Sequence, residues 1–131
     1  MKAVIVSGNR QVRKSLMMLL LAYPELEVYL LDDYEPFSMP DDTDVVIMDI
    51  DSLLDTQQFP YFIGSHSLIF YSRSREFSEL VDWLHMYNAD FINVYTHPDC
   101  VLHLIKKACS RRKSLIVDAT TNICSNEGKQ G

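Results

Sequence analysis

The chain has 131 residues, 47% of them hydrophobic, and a formal net charge of −6. That size suits one compact domain with its own core, and no apolar run reaches the ~20 residues that a membrane-crossing helix needs. The acidic balance disfavours a direct polyanion binder, the more so because residues 15–72 hold eleven acids and no Lys or Arg.

Ala3-Val4-Ile5-Val6 is a continuous apolar run of the kind a central parallel strand requires. It ends in Ser7-Gly8-Asn9, without a carboxylate. Asn9 can cap a helix from Arg10 to about Tyr23, which Pro24 stops. Val12, Leu16, Leu19, Leu20 and Tyr23 make its core stripe. Met17, Met18 and Leu21 widen that stripe, as deeper core or as an oligomer contact. The run Leu16 to Tyr23 behind Arg10, Arg13 and Lys14 superficially resembles a signal peptide. A strand precedes it and no small-residue cleavage site follows, so a cytosolic (cytoplasmic) protein with no membrane contact is expected. Val28 to Leu31 is the second strand. Pro36 and Pro40 then fall in an acidic stretch, Asp32 to Asp44, and argue against a helix there.

Asp44 to Met48 forms the third strand, closed by Asp49. A lone aspartate at the exit of a buried strand is a common place for a phosphate-accepting nucleophile. The Mg²⁺ which that chemistry needs takes more hard oxygen ligands than one side chain offers. Ile50 to His66 contains Pro60 and Gly64, leaving room for one short helix around Leu53 to Gln58. Ser67 to Tyr71 is the fourth strand, and a helix from Arg75 to Tyr87 follows with Phe77, Leu80, Val81, Leu84 and Met86 as apolar positions. Phe91 to Val94 is the fifth strand. His97 or Pro98 opens a last helix to about Arg112, buried through Val101, Leu102, Leu104, Ile105 and Ala108. Its cations Lys106, Lys107, Arg111, Arg112 and Lys113 suit a helix C-terminus. Residues 113–131 begin with a strand-like Leu115-Ile116-Val117 and read as a linker or tail. Cys100, Cys109 and Cys124 have no metal-ligand spacing and are expected to be reduced thiols.

Strands alternating with helices imply an α/β fold over residues 1–112: a doubly wound, five-stranded parallel sheet with its second and third helices reduced. One sheet face is then thinly covered, and loops or a protein partner should cover it.

Over Lys2 to Arg112 the chain resembles the receiver domain of bacterial two-component response regulators, a flavodoxin-like fold. It looks most like the receivers of LuxR/NarL-type transcription regulators. The opening Val4-Ile5-Val6-Ser7-Gly8-Asn9-Arg10-Gln11-Val12-Arg13-Lys14-Ser15-Leu16 follows the family pattern, except that Ser7-Gly8 replaces an acidic pair. The resemblance puts Asp49 at the phospho-acceptor position, Ser72 at the conformational switch and Phe91 at the aromatic switch position. It puts Val94 where the family has lysine. In a working receiver the acidic pair and the aspartate hold Mg²⁺, and the lysine pairs with the phosphoryl oxygens. Ser7, Gly8 and Val94 empty those positions.

The resemblance therefore implies a degenerate receiver: a non-enzymatic, phosphorylation-independent regulatory module with no cofactor. It implies a homodimer that controls transcription through a helix-turn-helix domain attached after Arg112, to which any DNA binding would belong. One alternative is a true phospho-receiver accepting phosphate on Asp49, with Asp51 or the Asp32–Asp33 pair as Mg²⁺ ligands. Another is a small phosphatase, because Val45 to Thr56 looks like the first motif of the haloacid dehalogenase type. There Asp49 would be nucleophile, Asp51 acid/base, and Ser72 the second motif. Only 82 residues follow Asp49, which is short for the rest of that fold.

Overall fold

The computed structural model describes residues 1–33, 39–40, 42–52 and 67–121, with side chains as far as residue 110. The aliphatic runs form five strands: β1 (Lys2–Val6), β2 (Glu27–Leu31), β3 (Val45–Asp49), β4 (Ser67–Ser72) and β5 (Asp90–Asn93). All pair in parallel in the order β2-β1-β3-β4-β5. Residue matching is regular, with Ile5 opposite both Leu30 and Ile47. β1, β3 and β4 are interior strands and are buried on both faces. That is why their sequences are uninterrupted hydrocarbon rather than alternating.

Among the described residues, three helices pack on the sheet: α1 (Arg10–Leu20), α2 (Phe77–Tyr87) and α3 (Pro98–Thr121). The Asn9 side chain caps α1 by accepting the amides of Gln11 and Val12 at 2.8 and 3.2 Å, which satisfies two of the helix's orphan donors. In α2 the Glu79 side chain accepts the Glu76 amide at 3.1 Å, and Asn88 ends the helix in the left-handed region at φ 51°. Alternate strand residues split the core in two. Ala3, Ile5, Val45, Ile47 and Ile69 meet Val12, Leu16 and Leu20 of α1 and Val101 and Ile105 of α3. On the other face Val4, Val6, Val46, Met48, Leu68 and Phe70 meet Leu80 and Leu84 of α2, together with Ile50. Of the described helices, α1 and α3 thus serve one face and α2 the other.

Most element bounds shift by one to three residues from the sequence expectation. Two differences are physical. Met18 and Leu21 are 64% and 62% exposed; α1 meets the sheet along a single stripe, so they are not deeper core. And α3 does not stop near Arg112 but runs on to Thr121. No Gly or Pro occurs from Asp99 to Glu127, and Ile116 and Val117 disfavour a helix by only a few tenths of a kcal/mol each. The strand propensity of Leu115 to Val117 therefore yields to extension of a helix already formed. Residues 50–52 are helical. The short helix expected at Leu53 to Gln58, part of the Asp32 to Asp44 connection and Cys124 lie outside the described residues. Cys100 is exposed and Cys109 is buried. Among the described residues, no helix is long and apolar enough to cross a membrane.

Candidate functional site

In this strand order the chain leaves β1 toward β2 on one side and β3 toward β4 on the other. A crevice therefore opens beyond the C-terminal ends of β1 and β3, the usual ligand position in open parallel sheets. Asp49, the last residue of β3, sits there and is 1% exposed. Its Oδ2 accepts hydrogen bonds from Ser7 Oγ at 2.6 Å and Ser52 Oγ at 2.9 Å. Its Oδ1 accepts the Asp51 amide at 3.2 Å. All three donors are neutral. Ser7 is fixed from both sides: its amide donates to the Leu31 carbonyl at 3.0 Å, and its own carbonyl accepts from Arg13 Nη1 at 2.6 Å. The Arg13 guanidinium thus meets the crevice through a backbone oxygen. Gly8 is exposed, and a Cβ there would lie 3.7 Å from Ser52 Oγ, an ordinary contact.

Asp51 faces elsewhere. Its Oδ1 accepts Ser72 Oγ at 2.8 Å, Arg75 Nη1 at 2.7 Å and Ser74 Oγ at 3.4 Å, and its Oδ2 accepts the Arg73 amide at 2.9 Å. Burial pushes the Asp51 pKa up, but the Arg73 amide, the Ser72 hydroxyl and the Arg75 guanidinium together outweigh it. They hold the carboxyl below its ordinary value of 3.8. Tyr71 shifts the other way: burial, and then the charge of Asp49, raise its phenol above the ordinary 10.0.

Ser72 is completely buried at the end of β4. Besides donating to Asp51, its oxygen accepts the amides of Arg75 at 2.9 Å and Ser74 at 3.3 Å. Phe91 on β5 is half-buried and meets Phe77 edge-on, ring centroids 6.4 Å apart. Val94 lies exposed in the turn after β5, with all of β4 between its strand and Asp49. Asp32 and Asp33 are exposed just past β2. Among the described residues, no three His, Cys, Asp or Glu side chains come together in a way that could hold a metal ion.

Solved structures that share the architecture include three response regulator proteins. A response regulator receiver domain protein from Clostridium thermocellum superposes with TM-score 0.64 over 87% of this chain and 98% of its own, at 13% identity. A response regulator from Thermotoga maritima gives 0.60 over 83% and 97%, at 17% identity. A response regulator receiver protein from Pseudoalteromonas atlantica gives 0.59 over 84% and 98%, at 15% identity. The fold is that of receiver domains. No protein-family model matches the sequence, and no curated protein matches it.

Within the receiver fold, the residues singled out in the sequence fall into two groups. Ser7 and Asp49 are in direct contact, whereas Ser72 and Asp51 form a separate pair on the β4 side. Ser52 and Arg75 are among the participants that no sequence motif marks. Ser52 stands three residues after Asp49, the spacing at which a hydroxyl in a helical turn reaches back to a strand-end acceptor. Arg75 stands three residues after Ser72, just before α2, close enough for its guanidinium to return to the strand end.

Proposed function

We propose that this chain is a receiver-type regulatory module that works through protein contacts and does not run phosphotransfer on Asp49. The supporting observation is the set of donors around that carboxylate: Ser7 Oγ, Ser52 Oγ and the Asp51 amide engage both its oxygens. Phosphoryl transfer to a carboxylate needs a metal and a cation to offset the charge that builds up. Here two hydroxyls and an amide stand where anionic ligands would be needed. The residues present do not fit Mg²⁺, which prefers carboxylate oxygens in near-octahedral array. Among the described residues the one further buried carboxylate, Asp51, is engaged by Ser72, Arg73 and Arg75, and this also disfavours it as the acid/base of a phosphatase.

The module has no enzymatic activity or cofactor of its own on this reading. It self-associates or meets a protein partner on the face covered by α2, where Phe77, Val81 and Met86 are exposed. It acts on transcription, with DNA contact supplied by a helix-turn-helix domain joined to it, as in LuxR/NarL-type regulators, and it works in the cytoplasm. The direct test is intact-mass analysis after incubation with acetyl phosphate and Mg²⁺, with Asp49→Asn as control. The expected result is an unmodified chain. A phosphoryl adduct that appears in the wild type and vanishes in Asp49→Asn would overturn the proposal. Sedimentation of Phe77→Asp tests the contact face: loss of self-association supports it, and an unchanged dimer removes it.

A further inference from the structure

The polar cluster at the start of α2 is better organised than a structural ion pair requires. Four donors of three kinds converge on the Asp51 carboxylate: the hydroxyls of Ser72 and Ser74, the backbone amide of Arg73 and the guanidinium of Arg75. Hydroxyl, amide and guanidinium together are the equipment of an oxyanion site. Hydrogen-bond accounting fixes the orientation of the innermost donor. The Ser72 oxygen accepts two amides, from Ser74 and Arg75, so its single proton points at Asp51. Ser72 is itself wholly buried and sits in a ladder opposite Asn93, so this donor is held in place by the sheet and not by its acceptor. The carboxylate comes from 21 to 24 residues earlier in the chain, beyond the end of β3. It bridges β3 to the turn between β4 and α2.

We propose that Ser72, Ser74, the Arg73 amide and Arg75 form an oxyanion-binding site whose resident ligand is the chain's own Asp51, so that the β4–α2 turn is held permanently in an anion-bound arrangement. An external oxyanion such as phosphate or sulfate finds this site filled in the wild type, and finds it open once the carboxylate is removed. The proposal deepens the phosphate-free reading above: the donors that would greet an incoming anion beside Asp49 already have one.

The test is a titration of the full chain with inorganic phosphate, followed through the ¹⁵N–¹H signals of Arg73, Ser74 and Arg75, at ionic strength matched with chloride. Wild type should give no saturable shift at these amides. Asp51→Gly should give one that saturates, with an apparent affinity at least about tenfold above any wild-type response. Arg75→Gln in the Asp51→Gly background should weaken it. A folded Asp51→Gly that shows no saturable response overturns the proposal, and so does a wild type that binds phosphate at the same amides. Should Asp51→Gly be unfolded in chloride, phosphate or acetate must restore the folded spectrum; failure of both to do so also overturns it. An Asp49 phosphoryl adduct, the result that would sink the preceding reading, is scored by mass on the wild type and is independent of these shifts.

Discussion

Replacing Asp51 by alanine should be among the more costly single changes in this chain, because it strands donors rather than removing a contact alone. The Ser72 hydroxyl is fully buried and would lose its only acceptor; an unsatisfied buried donor costs about 1–3 kcal/mol. The Arg73 amide loses a 2.9 Å bond but lies nearer solvent and can be partly rehydrated. The Arg75 side chain is 34% exposed, so its charge recovers much of its hydration and adds less than a sealed pair would. The sum is a loss of roughly 2–4 kcal/mol. With a urea dependence of about 1–3 kcal/mol per molar, the unfolding midpoint falls by about 0.7–4 M at unchanged slope. Asp51→Asn keeps an oxygen acceptor and should lose about half as much. Equilibrium urea unfolding followed by Trp83 fluorescence and circular dichroism reads both values. An Asp51→Ala cost below about 0.5 kcal/mol, the level of an ordinary surface change, would refute the claim that these donors depend on the carboxylate.

Stability should also fall in acid through the same group. A carboxyl whose folded pKa is depressed contributes stability above its unfolded value near 3.8, and loses it as the pH drops through the lower folded value. Acid unfolding curves of wild type and Asp51→Asn should therefore converge toward low pH; curves that stay parallel count against the linkage. The Tyr71 phenol should titrate above the ordinary 10.0 when followed by ¹³Cζ shifts. Asp49→Asn should bring that titration down, because the Asp49 charge is one of its causes; an unchanged midpoint would separate the two groups. The triple variant Ser7→Asp, Gly8→Asp, Val94→Lys should acquire Mg²⁺ binding measurable by calorimetry where wild type has none. Position 8 has room for a side chain and position 94 is exposed; wild-type heat equal to the variant's would show that the serine-lined crevice holds metal after all.

The sheet was legible because its interior strands carry a pattern that admits few other readings. Val4 to Val6, Val45 to Met48 and Leu68 to Tyr71 are too short for helices and too apolar for surface loops. Asp49 was legible for the same reason, as the first polar residue after such a run. What the sequence did not disclose is how side chains distant in sequence choose partners. Asp51 stood out as a spare carboxylate near Asp49, yet it turns to β4, where buried Ser72 and Arg75 offer charge-assisted bonds that a position beside Asp49 could not. Ser52 carries no signal of its own in the sequence, because a serine in a helical turn is unremarkable until its acceptor is known. The end of α3 differs for the opposite reason. Three apolar residues at Leu115 to Val117 looked like a new element, whereas helix continuation is decided by the absence of a breaker.

That continuation has a mechanical consequence. The first turns of α3 are seated on the sheet through Val101, Ile105, Ala108 and Cys109, and the same backbone helix carries on to Thr121, a rod of about 36 Å. Any segment joined beyond it would inherit the orientation of the sheet as a gear inherits the angle of its axle. Each residue inserted or deleted in its later turns would rotate that segment by about 100° and shift it by about 1.5 Å. Phase, rather than reach, would then govern what the sheet can pass on.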